Sequence, residues 1–172
     1  MNIFKKITPI LSVLVLILSV YVIVKIAPLF LEKLSGGFRK SLVQAPDFVL
    51  KDAGDNLVKL SDFRGRKVIL SFWTSWNSIS LEQIRILNDY APTNKNLSVL
   101  ALNNQEGMEV IRPISDKNSN VVALIDEEGL VGELYDISVL PLTIFIDENG
   151  FVVNKVIGTI TFGNINKLVS KL

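Results

Sequence analysis

The chain has 172 residues, 49% of them hydrophobic, with 18 Lys and Arg against 17 Asp and Glu, and it contains neither cysteine nor histidine. That composition excludes disulfide bonds, thiol nucleophiles and any Ser–His or Cys–His catalytic pair. It also removes the usual ligands of zinc, iron–sulfur and haem sites, so no cofactor and no metal is expected.

The hydrophobic excess, seen in a mean hydropathy of +0.40, is concentrated at the N-terminus. From Ile7 to Val24 no residue is charged and most are Leu, Ile or Val. Crossing a bilayer core takes about 20 mostly apolar residues in a helix, so this run is just sufficient. Lys5 and Lys6 precede it, and positive residues stay on the cytoplasmic side, which predicts an N-terminus inside and the bulk of the chain outside. A cleaved signal peptide is the competing reading. It calls for a shorter apolar stretch followed by small residues, whereas here Lys25-Ile26-Ala27-Pro28 follows. The expected organisation is therefore residues 1–6 cytoplasmic, 7–24 a membrane anchor, 25–44 a tether and 45–172 one folded domain. From Ala45 onward there are 12 basic and 16 acidic residues, a net of −4. A mildly acidic domain is a poor ligand for nucleic acid, and none is expected as a partner.

Within the domain, Phe48–Leu50 and Leu57–Leu60 read as short strands about the polar turn 51–56. That turn lacks the ligand spacing and closing Glu of a calcium loop. Ser61 to Gly65 reads as a single helical turn. Val68 to Trp73 is a nearly continuous apolar run rich in β-formers, the pattern of a strand buried on both faces. Ser80 to Tyr90 follows with Leu81, Ile84 and Leu87 at helical spacing. Leu97–Leu102 is a second buried strand, Glu106–Lys117 a helix disturbed by Pro113, Val121–Ile125 a strand and Glu128–Tyr135 a short helix. Leu142–Ile146 and Phe151–Ile157 are strands joined by Asp147-Glu148-Asn149-Gly150, a hairpin signal. Phe162–Leu172 closes the chain as a helix. Strands alternating with helices predict a mixed sheet covered on both faces.

Several segments come in a characteristic order and spacing: Ala45-Pro46-Asp47-Phe48, Leu60-Ser61-Asp62-Phe63-Arg64-Gly65, Leu70-Ser71-Phe72-Trp73-Thr74-Ser75-Trp76, Tyr135 to Thr143, and Ile144 to Gly150. With them the sequence resembles the membrane-anchored thioredoxin-like disulfide reductases of the TlpA/ResA type, in the redoxin superfamily, from Ala45 to about Leu172. The resemblance implies an α/β thioredoxin-like fold, a mixed β-sheet flanked by helices, with an N-terminal β-hairpin extension. It also implies that Trp76 should be followed by Cys-x-x-Cys. Here those positions are Asn77, Ser78, Ile79 and Ser80, and the Glu three residues further on is Gln83. Disulfide exchange needs a thiolate, and peroxide reduction needs a cysteine able to become a sulfenic acid, so neither chemistry survives the replacement.

Asn77 and Ser80 admit two readings. Ser80 as a nucleophile would need a base that the sequence does not supply. Helix capping asks for nothing more: Asn is a strong N-cap, and Ser80-Leu81-Glu82-Gln83 matches a capping box. Trp73 continues a buried strand and belongs to the core. Trp76 is either an exposed contact residue or plain packing. Pro141 aligns with the family's cis-proline, and in relatives the backbone before it pairs with an extended substrate, a form of strand addition. The expected function is a non-catalytic, membrane-tethered module that binds an extended peptide or protein partner at a groove of Trp76, Leu140 and Pro141. The alternatives are a non-thiol enzyme using the hydroxyl-rich loop 74–80, or a purely structural membrane subunit.

Overall fold

The computed structural model describes residues 16–22, 24–25, 43–112 and 119–172. The chain divides into two units, Met1–Ser41 and Leu42–Leu172. In the first, residues 16–22 and 24–25 are helical and exposed. The rest of the expected anchor 7–24, the stretch 1–6 and residues 26–42 of the tether lie outside the described residues. Among the described residues no helix is long and apolar enough to cross a membrane.

The second unit is one eight-stranded sheet. In chain order its strands are β1 (Val43–Gln44), β2 (Val49–Asp52), β3 (Leu57–Lys59), β4 (Lys67–Trp73), β5 (Leu97–Asn104), β6 (Val122–Asp126), β7 (Leu142–Ile146) and β8 (Phe151–Ile157). They lie side by side in the order β1-β8-β7-β4-β5-β6-β2-β3. The pairings β4–β5 and β5–β6 are parallel and the rest antiparallel. Four helices accompany the sheet: α1 (Ser78–Tyr90), α2 (Met108–Ile111), α3 (Leu130–Leu134) and α4 (Phe162–Val169).

Alternation along β4 feeds two cores, because successive side chains of a strand point to opposite faces. Ile69 and Trp73 pack with Ile84, Leu87 and Tyr90 of α1 and with Ile165 and Val169 of α4. Val68, Leu70 and Phe72 pack on the other face with Val131, Tyr135 and Phe48. A strand buried this way is apolar at nearly every position, which is why the run from Val68 to Trp73 was legible, and its polar member Ser71 is buried beside Thr143.

Four features differ from the sequence expectation. Val43–Gln44 lies inside the stretch expected to be tether, yet it pairs with Val152 and Phe151 of β8. Both residues are exposed, so only their backbone records the strand. The hairpin β2–β3 is no separate extension, since Lys51 and Asp52 also pair with Ile125 and Leu124 of β6 and thereby widen the sheet. The helix expected over Glu106–Lys117 is present only as α2, Met108–Ile111, with residues 113–118 outside the described residues. Finally, α1 starts at Ser78, two residues before the expected Ser80.

The β7–β8 turn is closed by Asp147, whose Oδ1 accepts from the amides of Asn149 (3.0 Å) and Phe151 (2.8 Å). Gly150 adopts φ +84°, and a Cβ there would fall 0.9 Å from a guanidinium nitrogen of Arg64. A side chain there would displace the Arg64 guanidinium, and the positive φ favours glycine. The left-handed backbone alone costs other residues about 1–2 kcal/mol.

Candidate functional site

The loop between β4 and α1 turns the chain from core to solvent within three residues. Trp73 and Thr74 are buried, Ser75 is half-buried, and Trp76 is 75% exposed. Asn77 then caps α1. Its extended backbone (φ −100°, ψ 109°) aims Oδ1 back at the helix, where it accepts from the amides of Ile79 (2.9 Å) and Ser80 (3.3 Å). Capping by Asn is as the sequence predicts, and it satisfies two of the four orphan donors at a helix start.

The same side chain has a second partner. Asn77 Nδ2 donates to the Leu140 carbonyl at 3.2 Å. The Leu140–Pro141 peptide is cis, and the Pro141 carbonyl accepts from Gly158 N at 2.8 Å. The structure thus brings Asn77, Leu140 and Pro141 together. Trp76, Ile79, Val139 and Ile157 are exposed apolar residues on the loops and strand ends that carry this contact, and Leu140 itself is half-buried. A cavity of about 190 Å³ opens where Val139 and Ile157 approach Leu142.

The capping box expected from Ser80 to Gln83 does not form. Because Asn77 is the N-cap, Ser80 lies inside the first turn and points inward. It is fully buried, and its hydroxyl has no hydrogen-bond partner among the described residues. Gln83 is equally buried and accepts from the amide of Ile160 at 2.7 Å instead of reaching back to the cap. A buried hydroxyl without a base is inert as a nucleophile.

Sequence reasoning missed Glu106. Its Oε2 accepts from the Ser75 amide (2.6 Å) and from Asn103 Nδ2 (2.7 Å), and its Oε1 accepts from Ser75 Oγ (2.5 Å). Asn103 is wholly buried at the end of β5, paired in register with Trp73. The available signal was the polar run Asn103-Asn104-Gln105-Glu106, which ends a buried strand on the side of the sheet where ligand sites gather. Partial burial pushes the Glu106 carboxyl up, but the hydrogen bonds from the Ser75 hydroxyl, the Ser75 amide and Asn103 outweigh it and hold the group below the ordinary carboxylate value. An acid held down in this way is a weak base, so it does not activate Ser75.

Sheet, cis-proline loop and capped helix together define a thioredoxin-like domain. The chain belongs to the AhpC/TSA family, whose model matches residues 43–155. Among curated proteins it is similar to the thiol-disulfide oxidoreductase ResA of Geobacillus kaustophilus (strain HTA426), 32% identical over 126 residues that make up 72% of each chain. It is also similar to ResA of Bacillus subtilis (strain 168), 31% identical over 68% of this chain and 67% of that one. Among solved structures, the exposed lipoprotein thioredoxin Etrx1 of Streptococcus pneumoniae strain TIGR4 superposes with a TM-score of 0.66 at 27% identity, over 74% of this chain and all of that one. StoA of Bacillus subtilis superposes with a TM-score of 0.62 at 18% identity, over 72% and 96% of the two chains, and speaks for the fold alone.

The Glu106 contacts carry a pH signature. A carboxyl held lower in the folded state than in the unfolded chain stabilises fully above its unfolded value of about 4.3, and that contribution is lost as pH falls through the folded value. The protein should therefore exceed the Glu106→Gln variant in urea-unfolding stability by a constant margin from neutrality down to about pH 5.5, and the margin should shrink as pH drops below about 4. A margin independent of pH down to about 2.5 would show that the ionised form makes no special contribution.

Proposed function

We propose that this chain is a non-catalytic, membrane-tethered thioredoxin-like module, a pseudoenzyme. It holds an extended apolar segment of a partner outside the cytoplasm, in the periplasm or at the cell surface. The observation that carries the reading is the pairing of retained architecture with lost chemistry: a cis-proline loop hydrogen-bonded to the head of α1, and Asn77 and Ser80 where the family's sulfur atoms belong. Nothing in the chain can form or resolve a mixed disulfide.

The apolar surroundings support capture of a partner. Trp76 is large, rigid and exposed, the kind of residue that dominates binding surfaces. Ile79, Val139 and Ile157 add exposed apolar area on neighbouring segments. A carbonyl oxygen has two lone pairs, so Leu140 keeps acceptor capacity for a partner's N–H beyond its bond to Asn77. Strand addition along Leu140 uses that capacity. The tether reading rests on the apolar run from Ile7 to Val24 behind Lys5 and Lys6. One observation favours a purely structural role instead: Asn77 already occupies the Leu140 carbonyl from within. The non-thiol enzyme is the weakest alternative, since Ser80 is buried without a base and Ser75 is tied to a carboxylate of low basicity.

Three measurements test the reading. Insulin reduction by dithiothreitol should run at the uncatalysed rate in the presence of the purified full chain, and catalysis above background would overturn the non-catalytic assignment. Protease added to intact cells should digest the domain, and digestion only after lysis would reverse the orientation. The paired substitution Trp76→Ser and Leu140→Ser should weaken retention of membrane-extract partners while the domain still unfolds cooperatively, with its thermal midpoint lowered only by the lost packing of half-buried Leu140. An unaltered retention profile would favour the structural role.

A further inference from the structure

The geometry points to Glu106 as the positioning residue for Trp76: we propose that its carboxylate, by accepting three hydrogen bonds at once, fixes the loop that presents the tryptophan ring to a partner. The partner-binding part of this inference rests on the reading of Trp76 given above; the positioning part stands without it.

Trp76 is exposed, so packing does little to hold its ring, and its orientation depends on the backbone on either side. Both neighbours are anchored. Asn77 is held by the α1 cap and by its bond to Leu140. Ser75 is held by Glu106 through both its amide and its hydroxyl. Removing the second anchor leaves Thr74, whose hydroxyl has no partner among the described residues, as the nearest fixed point before the ring. A ring held in advance loses less freedom on binding, and that saving goes into affinity.

Glu106 is itself braced. The Gln105 amide donates to the Asp126 carbonyl at 2.9 Å, and Gln105 takes φ +59° with its side chain laid against Gly129. Asn103, buried in β5, meets the carboxylate from below. The brace therefore runs from the sheet through Glu106 to Ser75, and spans the β5–α2 and β4–α1 loops.

The donor set makes the carboxylate specific. The Ser75 amide and the Asn103 NH₂ can only donate, and both converge on one oxygen. The Ser75 hydroxyl donates to the other oxygen. Only a carboxylate accepts all three; a glutamine of the same shape can keep its oxygen on the two N–H donors and donate its NH₂ to the Ser75 hydroxyl, which also accepts, so the change that removes the anchor is Glu106→Ala. Aspartate is one methylene too short to reach the same three atoms.

The test uses the full chain in detergent micelles, unmodified and as Glu106→Ala. In ¹⁵N-labelled unmodified protein the Ser75 amide should be strongly deshielded and protected from exchange, and in Glu106→Ala it should exchange at least about tenfold faster. The amides of Ile79 and Ser80, held by Asn77, should not change. Acrylamide quenching separates the two tryptophans, because Trp73 is buried and Trp76 exposed. The quenchable fluorescence should lose anisotropy in Glu106→Ala. An intact fold with unchanged Ser75 exchange and unchanged Trp76 anisotropy overturns the proposal. Should Glu106→Ala fail to fold, the unmodified protein still decides: the Ser75 amide signal and the Glu106 side-chain carboxyl signal must move together during acid titration, and independent titration overturns it. If these signals behave as expected while Trp76→Ser with Leu140→Ser retains partners normally, the positioning role stands and the groove reading falls.

Discussion

Burial of β4 on both faces organises the rest of the domain. Ile69, Leu70, Phe72 and Trp73 have no exposed surface, so the strand needs a neighbour on each edge and a layer on each side. β5 supplies one edge in parallel, and a parallel neighbour requires a crossover connection, which is α1. The helix must begin just beyond Trp73, where β4 runs out. β7 supplies the other edge antiparallel, with Leu142 opposite Phe72. An antiparallel neighbour starts where β4 ends, so the residues leading into β7 arrive beside the head of α1. The meeting of Asn77 with Leu140 thus follows from strand directions before any side chain is considered.

That meeting point holds Asn77, the first of the four positions at which the sequence resemblance implies Cys-x-x-Cys. Here the work done is mechanical. Asn77 uses its two amide functions on two different elements, the oxygen on α1 and the nitrogen on the cis-proline loop. An N-cap of this type contributes roughly 1 kcal/mol. Ser80 and Gln83 fill buried positions with neutral polar groups, and Gln83 secures the start of the segment before α4 through Ile160. A neutral amide at position 83 leaves the inner face of the helix head without a buried acid, and the carboxylate of the adjoining loop is Glu106, held against Ser75.

How much was legible depends on the range of the interaction. Apolar runs such as Val68–Trp73 and Leu142–Ile146 report burial residue by residue, and both strands lie where the pattern put them. The Asn77 cap is local, spanning three residues, and was also readable. β1 was not, because two exposed residues joined to β8 by backbone alone leave no periodicity. The misplaced capping box has a simple cause: two candidate caps, Asn77 and Ser80, compete for one helix start, and the one that also reaches Leu140 wins. Glu106 was read as the first residue of a helix, since a contact to Ser75 across 31 positions has no counterpart in local spacing. Trp76 could be placed on its loop, but its exposure could not be told from packing until the loop's anchors were known.

The absence of sulfur at positions 77 and 80 has a kinetic side. An enzyme that forms a mixed disulfide keeps its partner until a second thiol resolves the bond, so its occupancy reflects electron supply. In the proposed module, a segment seated against Trp76 and Leu140 would be held by weak contacts only and would depart on its own, at a rate those contacts set. Its occupancy follows the partner's local abundance and is blind to the oxidising strength of the compartment. Tethering then matters more than it would for a covalent trap. Confinement near a membrane raises the effective concentration of anything confined with it, and for the proposed module that would be the one lever left to rebind what it lets go.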